Sequence, residues 1–259
     1  MLTHLLAELP EGVVAPSSWL RAQGVSPQLA RKYVQSGWLV ALAHGAFARP
    51  IQPVDWQGVL LGLQRLADYP IHVGGISALT ARGHAQYLPL GGEPSIHLWT
   101  HASDARSLPR WVKTIELQQR WEVHTERLFD KSAERVGLTG LPTRVRNWEL
   151  AASAPERAIL EVLSLVDETP ASFTHAAELF EGLTTLRPAV TQRLLEACRS
   201  IKAKRLFVFL ASRYDYAWRR KLNLAPVALG SGKRLITRGG RLAPEFSITV
   251  PEPFIAEPR

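Results

Sequence analysis

Four polar side chains near the start of the chain, Gln28, Arg31, Lys32 and Gln35, stand at i, i+3, i+4 and i+7. At helical spacing they share one face. Their chemistry suits base edges in a DNA groove: Arg and Lys donate to guanine O6 and N7, and Gln pairs with adenine N6 and N7. An ordinary solvated helix face also carries polar residues, so the surroundings decide between the two readings. Leu29, Ala30 and Tyr33 fall on the opposite side, where they are expected to pack inward.

The neighbouring residues supply the elements that would position this face. Ser26 is a good N-cap and Pro27 suits the first helical position, so the spacing predicts a helix from Pro27 to about Ser36, stopped by Gly37. Upstream, Leu2, Leu5, Leu6 and Leu9 predict a helix ended by Pro10-Glu11-Gly12. A second short helix follows, with Pro16 in its first turn, Ala15, Trp19 and Leu20 inward, and Gly24 at its end. Two short helices about a Gly-containing turn form the helix-turn-helix pattern. Residues 38–42 then read as a strand, Ala43-His44-Gly45 as a turn, and 46–49 as a return strand ended by Pro50. A helix-turn-helix followed at once by a hairpin is a winged helix, expected over 1–52. Gln28, Arg31 and Lys32 would read bases near the start of the recognition helix. Ser17, Ser18 and Ser26 could hold phosphate. His44 at the wing tip and Arg49 near its base could reach phosphate or the minor groove.

The 259 residues suggest two domains, and 46% hydrophobic with 21% charged residues excludes a disordered or collagen-like chain. The expected class is α+β: the winged helix-turn-helix, then a larger mixed α/β region over 53–259. Within that region, helices are expected at 54–67 and 76–82, and strands at 70–73, 95–100 and 112–117. From Pro155 the pattern becomes helical, at 156–166, 175–183, 188–201 and 204–214. Strands at 233–237 and 246–250 would close 151–259 with a terminal hairpin.

The net charge of +8 favours a polyanionic partner, nucleic acid first. Residues 199–221 hold eight basic residues against one acid, Asp215, interleaved with Phe207, Phe209, Tyr214, Tyr216 and Trp218. Such a mixture marks some nucleic-acid surfaces. It makes Lys202, Lys204, Arg205, Arg219, Arg220 and Lys221 a candidate second basic surface. Against this, Leu206, Phe209 and Leu210 form a helical stripe of the kind that usually faces a core.

Other constellations point to no chemistry. His97 and His101 are four apart, with His72 and His84 upstream, but 96–100 alternates like a strand and separates the pair. No metal or cofactor is expected. Gly74-Gly75 and Gly230-Ser231-Gly232-Lys233 both lack the full spacing of a phosphate loop. No nucleophilic triad is legible, and Cys198, placed mid-helix, is expected to be a buried inert thiol, so the chain is not read as an enzyme. The single cysteine, the lack of a signal peptide pattern and the lack of a long apolar run give the expectation of a soluble cytoplasmic protein with no membrane contact.

Several short motifs, in order, resemble a known family: Gly24-Val-Ser, Ala30-Arg-Lys-Tyr-Val, Ser36-Gly-Trp-Leu, Gly45-Ala-Phe-Ala-Arg-Pro, His72-Val-Gly-Gly with Ala78-Leu, Tyr87-Leu-Pro-Leu-Gly, Pro155-Glu-Arg-Ala-Ile-Leu, Leu186-Arg-Pro, residues 198–206, and Leu229-Gly-Ser-Gly-Lys-Arg. Each is weak alone; their order resembles the AbiEi-type antitoxins of type IV toxin–antitoxin systems linked to abortive phage infection. The resemblance implies a winged helix that binds inverted repeats in its own promoter and represses the operon. It also implies a C-terminal region that counteracts a nucleotidyltransferase-like toxin without needing a stable complex with it. Two alternatives stay open at this point: a stand-alone transcriptional regulator with a sensing domain, and a nucleic-acid-directed enzyme.

Overall fold

The computed structural model describes residues 2–84, 95–100 and 108–255. The fold is α+β. The N-terminal unit runs α1 (Leu2–Glu8), β1 (Ala15–Pro16), α2 (Ser17–Ala22), α3 (Pro27–Gln35), β2 (Val40–Ala43) and β3 (Ala46–Ala48). Its antiparallel sheet has the order β1-β3-β2, with Ala15 opposite Phe47 and Val40 opposite Ala48. The second helix therefore begins at Ser17, and Ala15-Pro16 is a strand rather than a first turn. Pro16 is extended at φ −66° and ψ 148°, and Ala15, fully buried, pairs with the return strand.

After Pro53 the chain packs back on this unit. Asp55 caps α4 (Trp56–Leu61) by accepting from Gly58 N at 3.0 Å, and the helix continues as a π-helical turn over Gly62–Leu66. A Cβ on Gly58 would lie 1.7 Å from Gly12 O, and one on Gly62 would lie 2.3 Å from Val14 O. Those two glycines let the helix lie directly on the backbone of 12–14, where Val14 N donates to Gly58 O at 3.2 Å.

The larger region is built on a five-stranded mixed sheet: β4 (Ile71–Val73), β5 (Ser95–Thr100), β6 (Arg120–His124), β7 (Leu138–Pro142) and β8 (Glu149–Ser153), in the order β6-β5-β4-β8-β7. The β4–β8 and β5–β6 pairs are parallel; β4–β5 and β7–β8 are antiparallel. Helix α5 (Gly75–Ala81) follows β4. The strand expected at 112–117 is absent: Arg110–Thr114 is a short helix, α6, that buries Trp111 and Val112, and the strand comes later as β6. Strands β7 and β8 were not anticipated. They are rich in Gly, Ala and Leu, residues that carry little strand preference of their own.

Four helices cover this region: α7 (Pro155–Leu165), α8 (Pro170–Glu181), α9 (Pro188–Ala197) and α10 (Ile201–Arg213). Proline opens the first three. Cys198 is not mid-helix; it ends α9 in an extended conformation, bridged to Phe129, and Ser200 then caps α10. The terminal hairpin pairs β9 (Arg241–Ala243) with β10 (Ile248–Val250). Residues 233–237 do not form the expected strand. Arg234 makes a single bridge to Ile248, and beyond it the Thr249 hydroxyl, not a backbone carbonyl, accepts from Ile236 N at 2.9 Å.

One buried network ties the sheet to the helices. Glu161, on α7, is fully buried. Its Oε1 accepts from His72 Nε2 of β4 at 2.9 Å, from Arg157 Nε at 3.0 Å and from Ser153 Oγ of β8 at 2.9 Å. Its Oε2 accepts from Gly75 N at 2.8 Å. The Gly74-Gly75 pair thus receives a carboxylate of its own chain, not a phosphate. Burial opposes the charge on Glu161, yet His72, Arg157 and the Gly75 N–H outweigh it and hold the carboxyl below its ordinary value. Burial also lowers His72, against the pull of Glu161, so the imidazole donates as a neutral ring. Arg157 Nη1 donates in turn to the carbonyls of Ala133, Glu134 and Val136 at 3.2, 3.1 and 2.9 Å.

Glu161→Gln leaves Arg157 buried without its counter-charge and should cost about 3–5 kcal/mol in urea unfolding. Both depressed groups make the fold acid-sensitive. The Glu161 contribution is complete above the ordinary value of 4.5 and is lost as pH falls through the lower folded value; the His72 contribution is complete above 6.5 and is lost likewise. Stability should therefore fall on acidification, and Glu161→Gln should flatten the acid limb of the curve; an unchanged limb would contradict the network's role. Arg205 donates to the carbonyls of Leu229, Gly232 and Ser247 at 2.7, 2.6 and 3.1 Å. Arg205→Ala should lower stability by about 2–3 kcal/mol and loosen the terminal hairpin, read as faster amide exchange in β9 and β10.

Candidate nucleic-acid interface

Helix α3 takes its position from its cap and its apolar face. Ser26 Oγ accepts from Leu29 N at 3.2 Å, and Pro27 stands at the first helical position, as the residue types predicted. Ala30 and Tyr33 are buried against the rest of the unit. Gly24, at φ +78°, supplies the left-handed turn between α2 and α3 that a side chain would disfavour.

The outer face is the one anticipated. Gln28, Arg31, Lys32 and Gln35 are all exposed. Among the described residues none of the four side chains has a hydrogen-bond or ion-pair partner. Ser18 is exposed on α2, and Ser17, half-buried, donates its backbone N–H to Gly45 O at 2.8 Å. Gly45, at φ +84°, turns the β2–β3 hairpin so that exposed His44 sits at its tip. Ser17, Arg31 and His44 line one groove between the helices and the hairpin, floored by Leu20, Ala30 and Phe47. Arg21 lines it too and was not singled out from sequence; its signal was only an exposed cation one residue after Leu20 on a six-residue helix. No Asp or Glu occurs between Gly12 and Val54, so the groove is cationic without an acidic neighbour in that stretch.

Arg49 does not join this set. Its Nη2 pairs with Glu11 at 3.1 Å, and its Nη1 donates to Leu6 O at 3.4 Å, which fastens β3 to α1.

The second basic surface does not exist as a continuous face. Lys204 and Arg205 are each 3% exposed, because α10 is enclosed on nearly all sides. Arg205 holds the three carbonyls described above, and Lys202 Nζ donates to Val166 O at 2.7 Å. Arg219, Arg220 and Lys221 are exposed on a separate 3-10 turn, where Arg220 pairs with Asp215. The interleaved aromatics are core: Phe207, Phe209 and Trp218 are buried, and Trp218 Nε1 donates to Leu183 O at 3.0 Å.

Histidines come together in a way the sequence reading missed. His101 lies outside the described residues, and His72 belongs to the Glu161 network. His97 instead meets His124, with Nδ1 and Nε2 3.1 Å apart, and its Nε2 lies 3.6 Å from Glu122 Oε2. Burial lowers both imidazoles. The available signal was Glu122-x-His124 on one strand, but its pairing with His97 requires the sheet register. Burial pushes the Cys198 thiol up to about 11, so it is a poor nucleophile. Among the described residues no helix is long and apolar enough to cross a membrane.

Comparison with known proteins gives the family. No curated protein matches the chain. A crystal structure of the RV2827C protein from Mycobacterium tuberculosis matches with a TM-score of 0.56 at 20% identity, covering 94% of this chain and 88% of that one, and so shares the fold. Residues 1–90 match the N-terminal domain of the AbiEi antitoxin transcriptional regulators, and residues 93–251 match the model described as transcriptional regulator, AbiEi antitoxin, type IV toxin–antitoxin system. With its motifs in order and both matches end to end, the chain belongs to the AbiEi antitoxin family of transcriptional regulators of type IV toxin–antitoxin systems.

Proposed function

We propose that the N-terminal unit, residues 1–52, is a winged helix that binds inverted repeats in the promoter of its own operon and represses it. We further propose that residues 53–259 counteract a nucleotidyltransferase-like toxin. The observation that carries the DNA half is the outer face of α3, whose four polar side chains are exposed, without partners among the described residues, and flanked by the cationic groove. A helix held by its cap and its buried face presents such side chains at fixed spacing, as base readout in the major groove requires. Gln28, Arg31, Lys32 and Gln35 are the readers. Ser17, Ser18, Arg21 and His44 hold backbone phosphates on either side of the groove. Ser26 acts through its cap, and Arg49 by fastening the unit together. No catalytic step is assigned to the chain, and neutralisation needs no stable complex with the toxin.

Arg31→Ala should weaken operator binding by roughly 1–3 kcal/mol and relax one base position, measured by anisotropy against the upstream DNA and a shuffled control. Equal loss on both DNAs would make Arg31 a phosphate contact instead. Arg49→Ala should lower the melting temperature and leave the affinity of the folded protein unchanged. The quadruple variant of Gln28, Arg31, Lys32 and Gln35 to Ala should lose repression in a reporter assay yet still rescue cells from the toxin. Loss of both activities in a folded quadruple variant would contradict the division of labour.

A further inference from the structure

We propose that His97, Glu122 and His124 form a site for one divalent transition-metal ion, zinc first, at the edge of the five-stranded sheet. The sheet register builds it. Strands β5 and β6 are parallel, with His97 opposite Glu122 and Trp99 opposite His124. The two-residue period puts His97 and Trp99 on one face of β5, and Glu122 and His124 on one face of β6. One ligand atom from each of His97, Glu122 and His124 lies within 4.8 Å of the others.

The spacing suits the ion. Zinc takes imidazole nitrogen and carboxylate oxygen at about 2.0–2.2 Å, which places ligand atoms a little over 3 Å apart around a tetrahedral centre. His97 Nδ1 and His124 Nε2 already approach to 3.1 Å. Glu122, the more exposed partner, has to swing inward from the outer edge of the His97 ring. The rings are held for this: His97 and His124 stack at 5.3 Å and 13°, and Trp99 packs on His124 at 4.1 Å. Ser95 Oγ lies 3.4 Å from His97 Nε2, as a second-layer partner that would orient the ring. Two nitrogens and one carboxylate suit zinc and disfavour magnesium and calcium, which take oxygen.

Without metal, the facing nitrogens share a hydrogen bond that uses one ring proton. Binding moves that proton to the far nitrogen of the same ring, which for His97 is the Nε2 beside Ser95 Oγ, and links two strands at a sheet edge. Three protein ligands leave a fourth position for water. None of these residues belongs to the α3 face, so the site does not rest on the DNA-binding reading.

The test is a zinc titration of tag-free, chelator-stripped full-length protein, by calorimetry and by competition with a chromophoric chelator. The wild type should bind one zinc ion per chain and should melt higher with zinc present. Glu122→Gln, a near-isosteric change at a half-buried position that leaves the strand pairing intact, should weaken binding at least tenfold; His124→Asn should weaken it further and abolish the zinc-dependent rise in melting temperature. His4→Ala, on exposed α1, should match the wild type, and millimolar magnesium should not shift melting. Substoichiometric zinc, or equal affinity in wild type, Glu122→Gln and His124→Asn, would overturn the site.

Discussion

The buried carboxylate of Glu161 is the constraint around which the larger region is arranged. A fully buried charge must be paired and hydrogen-bonded or the fold is lost. Its donors come from β4, the start of α5, β8 and its own helix α7. Satisfying them fixes where α7 crosses the sheet and how closely α5 follows β4. It also dictates the Gly74-Gly75 pair: a Cβ on Gly74 would lie 2.4 Å from Glu161 Oε2, and one on Gly75 2.5 Å from the Trp99 ring. Arg157 then carries the charge outward to three carbonyls around Ala133–Val136, so that loop depends on the same network.

A second constraint joins the two parts of the chain. Gly58 and Gly62 let α4 contact the backbone of 12–14, so the hairpin and helices of the N-terminal unit rest on a rigid support. The apolar core is continuous from Leu5 on α1 through Val59 and Leu60 on α4 to the helices of the larger region. Under the proposed function this support matters, since base readout needs the α3 side chains held at fixed spacing, and α3 itself is only nine residues long.

Much of the N-terminal unit was legible before the structure. Ser26, Pro27, Gly24, Gly37 and Gly45 each act locally, through a cap, a fixed φ or a left-handed turn, and such signals do not depend on distant residues. The split of α3 into a buried face and an exposed face followed from period alone. Strand β1 escaped because two residues carry no period and Pro16 also suits a helix start. Strands β7 and β8 escaped for lack of intrinsic preference, and residues 233–237 misled because a short stretch punctuated by glycines does not reveal whether a partner strand is in reach.

The sequence by itself determined the caps, the turns, the apolar faces and the family, because these are written in residue type and order. Only the tertiary structure decided which charges are available. Residues 199–221 read as a basic stretch, but Lys204 and Arg205 are buried while Arg219 and Lys221 are exposed. Arg49 and Arg31 look alike in sequence, yet one meets Glu11 and the other meets solvent. His97 and His124 lie far apart in sequence, and only the register of the two strands brings them together. Composition counts charges, whereas contact decides their solvation, and contact depends on register and packing between segments far apart in the chain.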